Sequence, residues 1–306
     1  MMDGGTMRNS KTKTKTNHKL GITLVKVIIF TLCITSILGA GLSEATLASS
    51  ETQSSLLLQE ISKLHKDNAA LKYQNETLID TIKKNESLYT QKLSNAKIAY
   101  LTFDDGPSAN TSAILAVLKQ YDIKATFFVN AHPHLRELYK QISDDGHALA
   151  NHTYSHDYKK IYKSADNFKK DVKKLDTFLK ETTGTEPNYI LRYPGGSNNH
   201  IGRDYGGMEI MNSVIKEMNE EGYFYFDWNV DSSDAYVFRQ AKDNIVQAVL
   251  TQSSTLNHPI ILMHDLDPKT TTVDALPEII EGLLSKGFAF DVLSKDTHAP
   301  QFKVVN

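Results

Sequence analysis

The sequence predicts an α/β fold built on a largely parallel sheet, curled toward a barrel and preceded by an apolar segment and a helical stalk. Three observations predict it. From residue 97 onward, short runs of β-forming residues alternate with segments of helical periodicity, the pattern of repeated β-α units. Polar residues fall at the carboxyl ends of those runs, where parallel α/β folds gather their chemistry. Residues 51–92, by contrast, follow a seven-residue repeat and contain neither Gly nor Pro. About 200 residues remain after the stalk, a little short for a full eight-fold barrel, so fewer or irregular units are expected.

Composition narrows the possibilities. The net charge of −2 provides no global basic field, which argues against a nucleic-acid partner. The single cysteine, Cys33, cannot form an intramolecular disulfide. Residues 1–19 carry Arg8, Lys11, Lys13, Lys15 and Lys19 against Asp3 alone, and residues 20–42 are apolar apart from Lys26. A basic flank before a span of this length reads as a transmembrane signal anchor with a cytoplasmic tail and the remainder exported. Ser43-Glu44-Ala45 resembles a small-x-small cleavage site, so a cleaved signal peptide is the alternative.

The stalk spans residues 50–95. Leu57, Leu64, Leu71 and Leu78 recur every seven residues, with Ile61, Asn68, Asn75 and Ile82 at the interleaved positions. Leu at d with Ile or Asn at a is the pattern of a parallel two-stranded coiled coil, in which buried Asn fixes register at a cost in stability. A homodimer through this segment is one expectation; a single solvated helix serving as a spacer is the other.

Strands are then expected at 97–103, 125–129, 147–150, 189–191, 223–228, 260–263 and 288–292. Helices are expected at 110–121, 135–142, 209–220, 241–250 and 276–284. One more begins at Ser164, a cap for a face of Phe168, Val172, Leu175 and Leu179 at helical spacing.

The first strand stops at Asp104-Asp105-Gly106-Pro107. Two adjacent carboxylates repel, so a cation or donor is expected nearby; a plain solvated turn is the competing interpretation. His152 and His156 follow the third strand, four residues apart, close enough to meet on one ion. Asp105 could complete a site of two imidazoles and one carboxylate for a divalent metal, zinc or another. Arg192 ends the next strand, Asp231 and Asp234 follow the Trp228 run, and His264 ends the strand after that. Converging strand ends would gather all of them around one pocket. Arg192 could instead form a surface salt bridge and Asp231 could be a capping residue. His132, His134, His200 and His258 are assigned to loops or surface, and Tyr154 and Tyr193 either stack on a ligand or pack at the rim.

Five segments occur in a telling order: Thr102-Phe103-Asp104-Asp105-Gly106-Pro107, His152-Thr153-x-x-His156, Arg192-Tyr193-Pro194-Gly195-Gly196, Asp231-x-x-Asp234 and Leu262-Met263-His264. Residues 97–295 thereby resemble the polysaccharide deacetylase domain (NodB-homology, carbohydrate esterase family 4), especially its membrane-anchored peptidoglycan N-acetylglucosamine deacetylases, with 296–306 as a C-terminal tail. The resemblance implies a distorted (β/α) barrel that hydrolyses acetamides on sugars. It assigns Asp105, His152 and His156 as metal ligands, with zinc first and cobalt, nickel or manganese as alternatives. It makes Asp104 the general base, Arg192 the residue that orients it and keeps it ionised, His264 the general acid and Asp234 the acid that tunes this histidine. The Tyr193 N–H and Leu262 fall at oxyanion- and substrate-binding positions. Peptidoglycan at the outer membrane face is the implied substrate, its deacetylation disfavouring lysozyme. N-acetylmuramic acid, chitin oligomers, secreted poly-N-acetylglucosamine, or glycan binding without turnover are the alternatives. One departure stands out: Ala235 follows Asp234 where the family usually has Trp.

Overall fold

The computed structural model describes residues 44–304. The basic tail and the expected membrane span, residues 1–19 and 20–42, lie outside the described residues. Among the described residues no helix is long and apolar enough to cross a membrane.

The first element, α1 (Glu44–Asn95), is one continuous helix, as the absence of Gly and Pro allows. Leu64, Leu71, Leu78 and Ile82 are all exposed along this helix. The chain divides near Ser87 into two units, and the second contains the sheet.

All the strand pairings in that unit are parallel. β1 (Ile98–Asp104) lies at the centre, between β2 (Thr126–Val129) and β7 (Ile260–His264). β3 (Ala148–Asn151), β4 (Ile190–Leu191) and β5 (Phe224–Tyr225) continue outward beyond β2, and β6 (Val230–Asp231) lies outside β7. β8 (Ala289–Phe290) pairs only with the start of β1. The strand order is therefore that of a barrel left open between β5 and β6, a curled half-barrel rather than a closed one.

The expected strand at 223–228 is corrected here: it breaks after Tyr225 and resumes only at Val230. Its middle pairs with the C-terminal segment instead. The Asp227 N–H donates to the Pro300 carbonyl at 3.1 Å, and the Phe302 N–H donates to Asp227 Oδ2 at 2.7 Å. The Phe302 ring stands edge-on to Trp228.

Helices α2 (Thr111–Gln120), α3 (Arg136–Asp144), α5 (Ala165–Thr183), α7 (Ile210–Glu220), α8 (Lys242–Ser253) and α9 (Thr270–Ser285) supply the outer layer, with short helices α4 (Tyr158–Ile161) and α6 (Arg203–Gly206) between them. Ser164 caps α5 as expected, its Oγ accepting from the Asn167 N–H at 3.2 Å. The last helix begins six residues earlier than expected and runs through Pro277, because Thr272 and Ala275 are buried along with Leu276 and Ile279.

Strand alternation then sorts the side chains. Leu101, Phe103, Ile261 and Met263 join the outer core with Ile114, Leu118, Ile280 and Leu283. Tyr100, Phe128, Ala150, Ile190, Phe226 and Ile260 form a separate apolar plug. Thr102 and Asp104 share the Tyr100 face of β1, and Leu262 and His264 share the Ile260 face of β7. The polar ends thus stand above that plug, at the carboxyl mouth of the sheet.

Candidate metal and catalytic site

β1 ends on Asp104, and the chain then turns through Asp105, whose φ is +72°. Its carboxylate meets two imidazoles from the loop after β3: Asp105 Oδ1 lies 3.6 Å from His152 Nε2 and 3.3 Å from His156 Nε2. One donor atom from each of the three lies within 4.8 Å of the others. Asp105 Oδ1 is buried and accepts no hydrogen bond, an uncompensated acceptor of the kind a cation satisfies. His152 donates through Nδ1 to the Arg192 carbonyl at 2.8 Å, which leaves Nε2 free to ligate. Burial, reinforced by the neighbouring His156, lowers His152 to about 3, so the ring is neutral and ligand-ready at ordinary pH. This donor set fits a divalent metal ion.

The ligand loops are strained. Thr153 and His156 also adopt positive φ, at +70° and +48°. For residues other than Gly this conformation costs roughly 1–2 kcal/mol each. Local hydrogen bonds hold it in place. The Thr153 N–H donates to Asn151 Oδ1 at 2.8 Å, and the His156 N–H donates to Thr153 Oγ1 at 3.2 Å.

Beside the cluster, Arg192 is fully buried and donates four ways. Nη1 reaches Asp104 Oδ1 at 2.7 Å and Thr102 Oγ1 at 2.8 Å, Nε reaches the Phe226 carbonyl, and Nη2 reaches that of Asp227. Its guanidinium lies 4.1 Å from the centre of the Phe128 ring, on the apolar plug. A surface salt bridge is thereby ruled out. Burial raises Asp104 above the ordinary carboxylate range, with Arg192 and then His264 opposing the shift. Arg192 thus opposes the effect of burial on Asp104, as expected of a residue that keeps it ionised, and its hydrogen bond fixes where the carboxylate lies.

On the far side of β1, His264 Nδ1 lies 2.7 Å from Asp234 Oδ1, while Asp234 Oδ2 accepts from the His264 N–H and from Thr272 Oγ1, each at 2.9 Å. Burial lowers the imidazole, but the hydrogen bond and charge of Asp234, helped by Asp104 and Asp105, outweigh it. The ring is raised to about 9. Asp231 shapes the approach to Asp234 through an Asx turn, accepting from the Ser233 N–H at 2.7 Å.

Two expectations about aromatic rings resolve as packing. The Tyr193 ring is buried against Phe168 and Tyr225, so only its backbone N–H is a candidate for the site. Tyr154 packs against Phe178 beneath the Lys174 ammonium. Leu262 is nearly buried, in register with Thr102 and on the His264 face of β7. His132 is not among the three residues whose donor atoms cluster; its Nε2 lies 3.2 Å from the Asp105 carbonyl oxygen. Beyond Ala235, Tyr236 and Phe238 are strongly exposed on a loop fastened by Lys269, whose Nζ donates to the carbonyls of Asp234, Val237 and Phe238.

Sequence reading missed Thr102, Thr272, Asn130 and Lys269. Thr102 lay inside a quoted motif, and Asn130 follows β2 as Asp105 follows β1. Thr272 and Lys269 carried no local signal.

A carboxylate and two imidazoles, flanked by a guanidinium-held carboxylate and a carboxylate-held imidazole at the mouth of a curled parallel sheet, are the equipment of a hydrolase. The chain belongs to the polysaccharide deacetylase family, whose sequence pattern matches residues 91–206. It is 34% identical over 247 residues to YheN, a provisionally named polysaccharide deacetylase of Bacillus subtilis, covering 78% of this chain and 80% of that one. It is 35% identical over 211 residues to a peptidoglycan-N-acetylglucosamine deacetylase of Bacillus cereus, covering 67% and 72%. Among solved structures, the catalytic domain of a peptidoglycan N-acetylglucosamine deacetylase from Eubacterium rectale matches with a TM-score of 0.65 and 36% identity, over 69% of this chain and 94% of that domain.

Proposed function

We propose that this chain removes acetyl groups from N-acetylglucosamine units of peptidoglycan, releasing acetate and a free amine, with Asp105, His152 and His156 holding a divalent ion, zinc foremost. Such an ion, when bound, polarises the amide carbonyl and acidifies water. The protein's own residues supply the remainder. Asp104 accepts a proton from the attacking water, held on line by Arg192. The Tyr193 N–H faces the developing oxyanion. His264, kept cationic by Asp234, donates a proton to the departing amine, which leaves poorly unless protonated.

The observation that carries this reading is the pairing of a base and an acid on adjacent strands around one ligand cluster. Binding alone would need neither. The relatives named for peptidoglycan N-acetylglucosamine support the substrate. The basic tail and apolar segment support an anchored enzyme facing the cell wall, where a gain of positive charge on the glycan would disfavour lysozyme. The exposed leucine stripe of α1 supports a parallel homodimer through the stalk.

Acetate release from purified muropeptides, with and without chelator, tests the reading, and mass spectrometry of the products identifies the sugar unit. Release only from muramic acid units, chitin oligomers or poly-N-acetylglucosamine would redirect the substrate. No release from any acetylated glycan with metal restored would make the chain a binding module.

A further inference from the structure

Asn130 takes no part in the proton transfers, yet its hydrogen bonds reach both backbone segments that carry the ligand cluster. It directly follows β2 and is 5% exposed. Its N–H donates to the Gly106 carbonyl at 3.0 Å, one residue past Asp105. Its carboxamide Nδ2 donates to the carbonyls of His152 at 2.6 Å and Thr153 at 2.9 Å. Its own carbonyl accepts from the Tyr139 hydroxyl, which in turn accepts from the His132 N–H at 2.8 Å. The carboxamide has only one workable orientation, since turning it over would face its oxygen toward two carbonyl oxygens.

The joined segments are those in which Asp105 and Thr153 hold positive φ, a conformation that persists only when its surroundings over-determine it. β1 and β3 are not neighbours; β2 lies between them. At the end of the intervening strand Asn130 therefore joins both segments, its N–H reaching the Asp105 turn and its carboxamide the His152–Thr153 segment. It does so beside the backbone bonds from the Asp105 N–H to the Phe128 carbonyl and from the His152 N–H to the Val129 carbonyl.

We propose that Asn130 is a positioning residue for the metal: its carboxamide and N–H fix the spacing between the Asp105 turn and the His152–His156 loop, and through that spacing the affinity of the site. The inference rests on reading those three residues as a metal site. Without the carboxamide the backbone bonds from β2 to both segments remain, but the His152 and Thr153 carbonyls lose the Nδ2 donor, so the positive-φ loop that carries the two imidazoles is held less firmly against the Asp105 turn. Groups that orient ligands commonly change metal affinity by about 10- to 100-fold.

The test titrates the full chain, stripped of metal, with Zn²⁺ against a chromophoric competitor, with no sugar present. Asn130→Ala removes the two carboxamide hydrogen bonds and keeps the backbone one, and Asn130→Asp keeps the shape while placing a carboxylate oxygen against two carbonyls. Either variant is expected to bind Zn²⁺ about tenfold or more weakly. Thermal unfolding of the stripped forms, followed by circular dichroism, separates this from general destabilisation. A variant that folds, melts lower and still binds within twofold of the native chain overturns the proposal. Asn130→Ser, smaller and able to donate one hydrogen bond, is the fallback if the others fail to fold, with an intermediate affinity expected and native affinity overturning. A native chain that binds no Zn²⁺ would instead overturn the metal site itself, and the proposed chemistry with it.

Discussion

Asp104 and His264 stand directly opposite one another in register across the β1–β7 ladder. Each is held from behind by a buried partner of opposite charge, Arg192 for the first and Asp234 for the second. The proposed base and acid thus sit on two adjacent, paired central strands, while the loops of Asp105, His152 and His156 follow the strand ends beside them.

Asp104→Asn keeps the shape of the side chain and removes its basicity. Turnover is expected to fall by about 10²–10⁴-fold. Zn²⁺ affinity should stay close to native, because Asp104 Oδ2 is 3.8 Å from His152 Nε2 and is not part of the ligand cluster. Acetate release and metal titration on one preparation check both halves; an active variant would remove Asp104 as the base.

The pH profile follows from His264. Its acid form is populated below about 9, so activity should decline on the alkaline side as pH rises through that value. Asp234→Asn takes away the charge that holds the ring up, and the alkaline limb should move down toward or below 6.5, the ordinary value. Stability has the same sign. A proton bound more tightly when folded stabilises fully below 6.5 and ceases to do so through about 9, and the variant should flatten that dependence. Rate and unfolding midpoint measured from pH 5 to 10 test the pair.

Arg192→Met leaves Asp104 buried without its partner and frees the carbonyls of Phe226 and Asp227. A loss of about 3–5 kcal/mol is expected in urea unfolding, a typical penalty for breaking a buried pair. Arg192→Lys should not restore activity, since a point charge cannot reproduce a planar fork with four acceptors.

Chelator treatment should abolish acetate release and lower the unfolding midpoint, with both restored by stoichiometric metal, as expected when a ligand binds only the folded state. Activity that survives exhaustive chelation would argue against the ligand assignment of Asp105, His152 and His156.

For the stalk, sedimentation of a peptide covering residues 50–95 should show a dimer whose affinity increases when Asn68 and Asn75 are both replaced by Leu, with loss of a single register. A monomer at high concentration would leave α1 as a spacer.

The site was legible wherever a functional side chain closes a strand: Asp104, Arg192 and His264 all end apolar runs, and the two histidines follow one. What stayed hidden depends on partners distant in sequence. Asn130 works through carbonyls 22 and 23 residues away, and Thr272 through a carboxylate 38 residues away, so neither has a local pattern. The run from Tyr223 to Trp228 has the composition of a strand, but its middle is taken by Pro300 and Phe302, which no periodicity reveals. For Tyr193 the sequence left stacking on a ligand and packing at the rim both open, and the aromatic cluster of Phe168 and Tyr225 decides for packing.

The seam between β5 and β6 has a consequence for how the protein comes into being. Asp227, whose backbone carbonyl steadies Arg192, is tied to Pro300 and to Phe302, which lies 75 residues further on, and β1 pairs with β7 and β8, which follow it at a distance in the chain. A polypeptide extended only as far as β6 has Asp104 but lacks His264 and the Pro300–Phe302 segment. The proposed centre therefore depends on contacts with residues far downstream, and Phe302→Ala, which removes the ring packed on Trp228 beside Asp227, should damage a site that lies far upstream in the sequence.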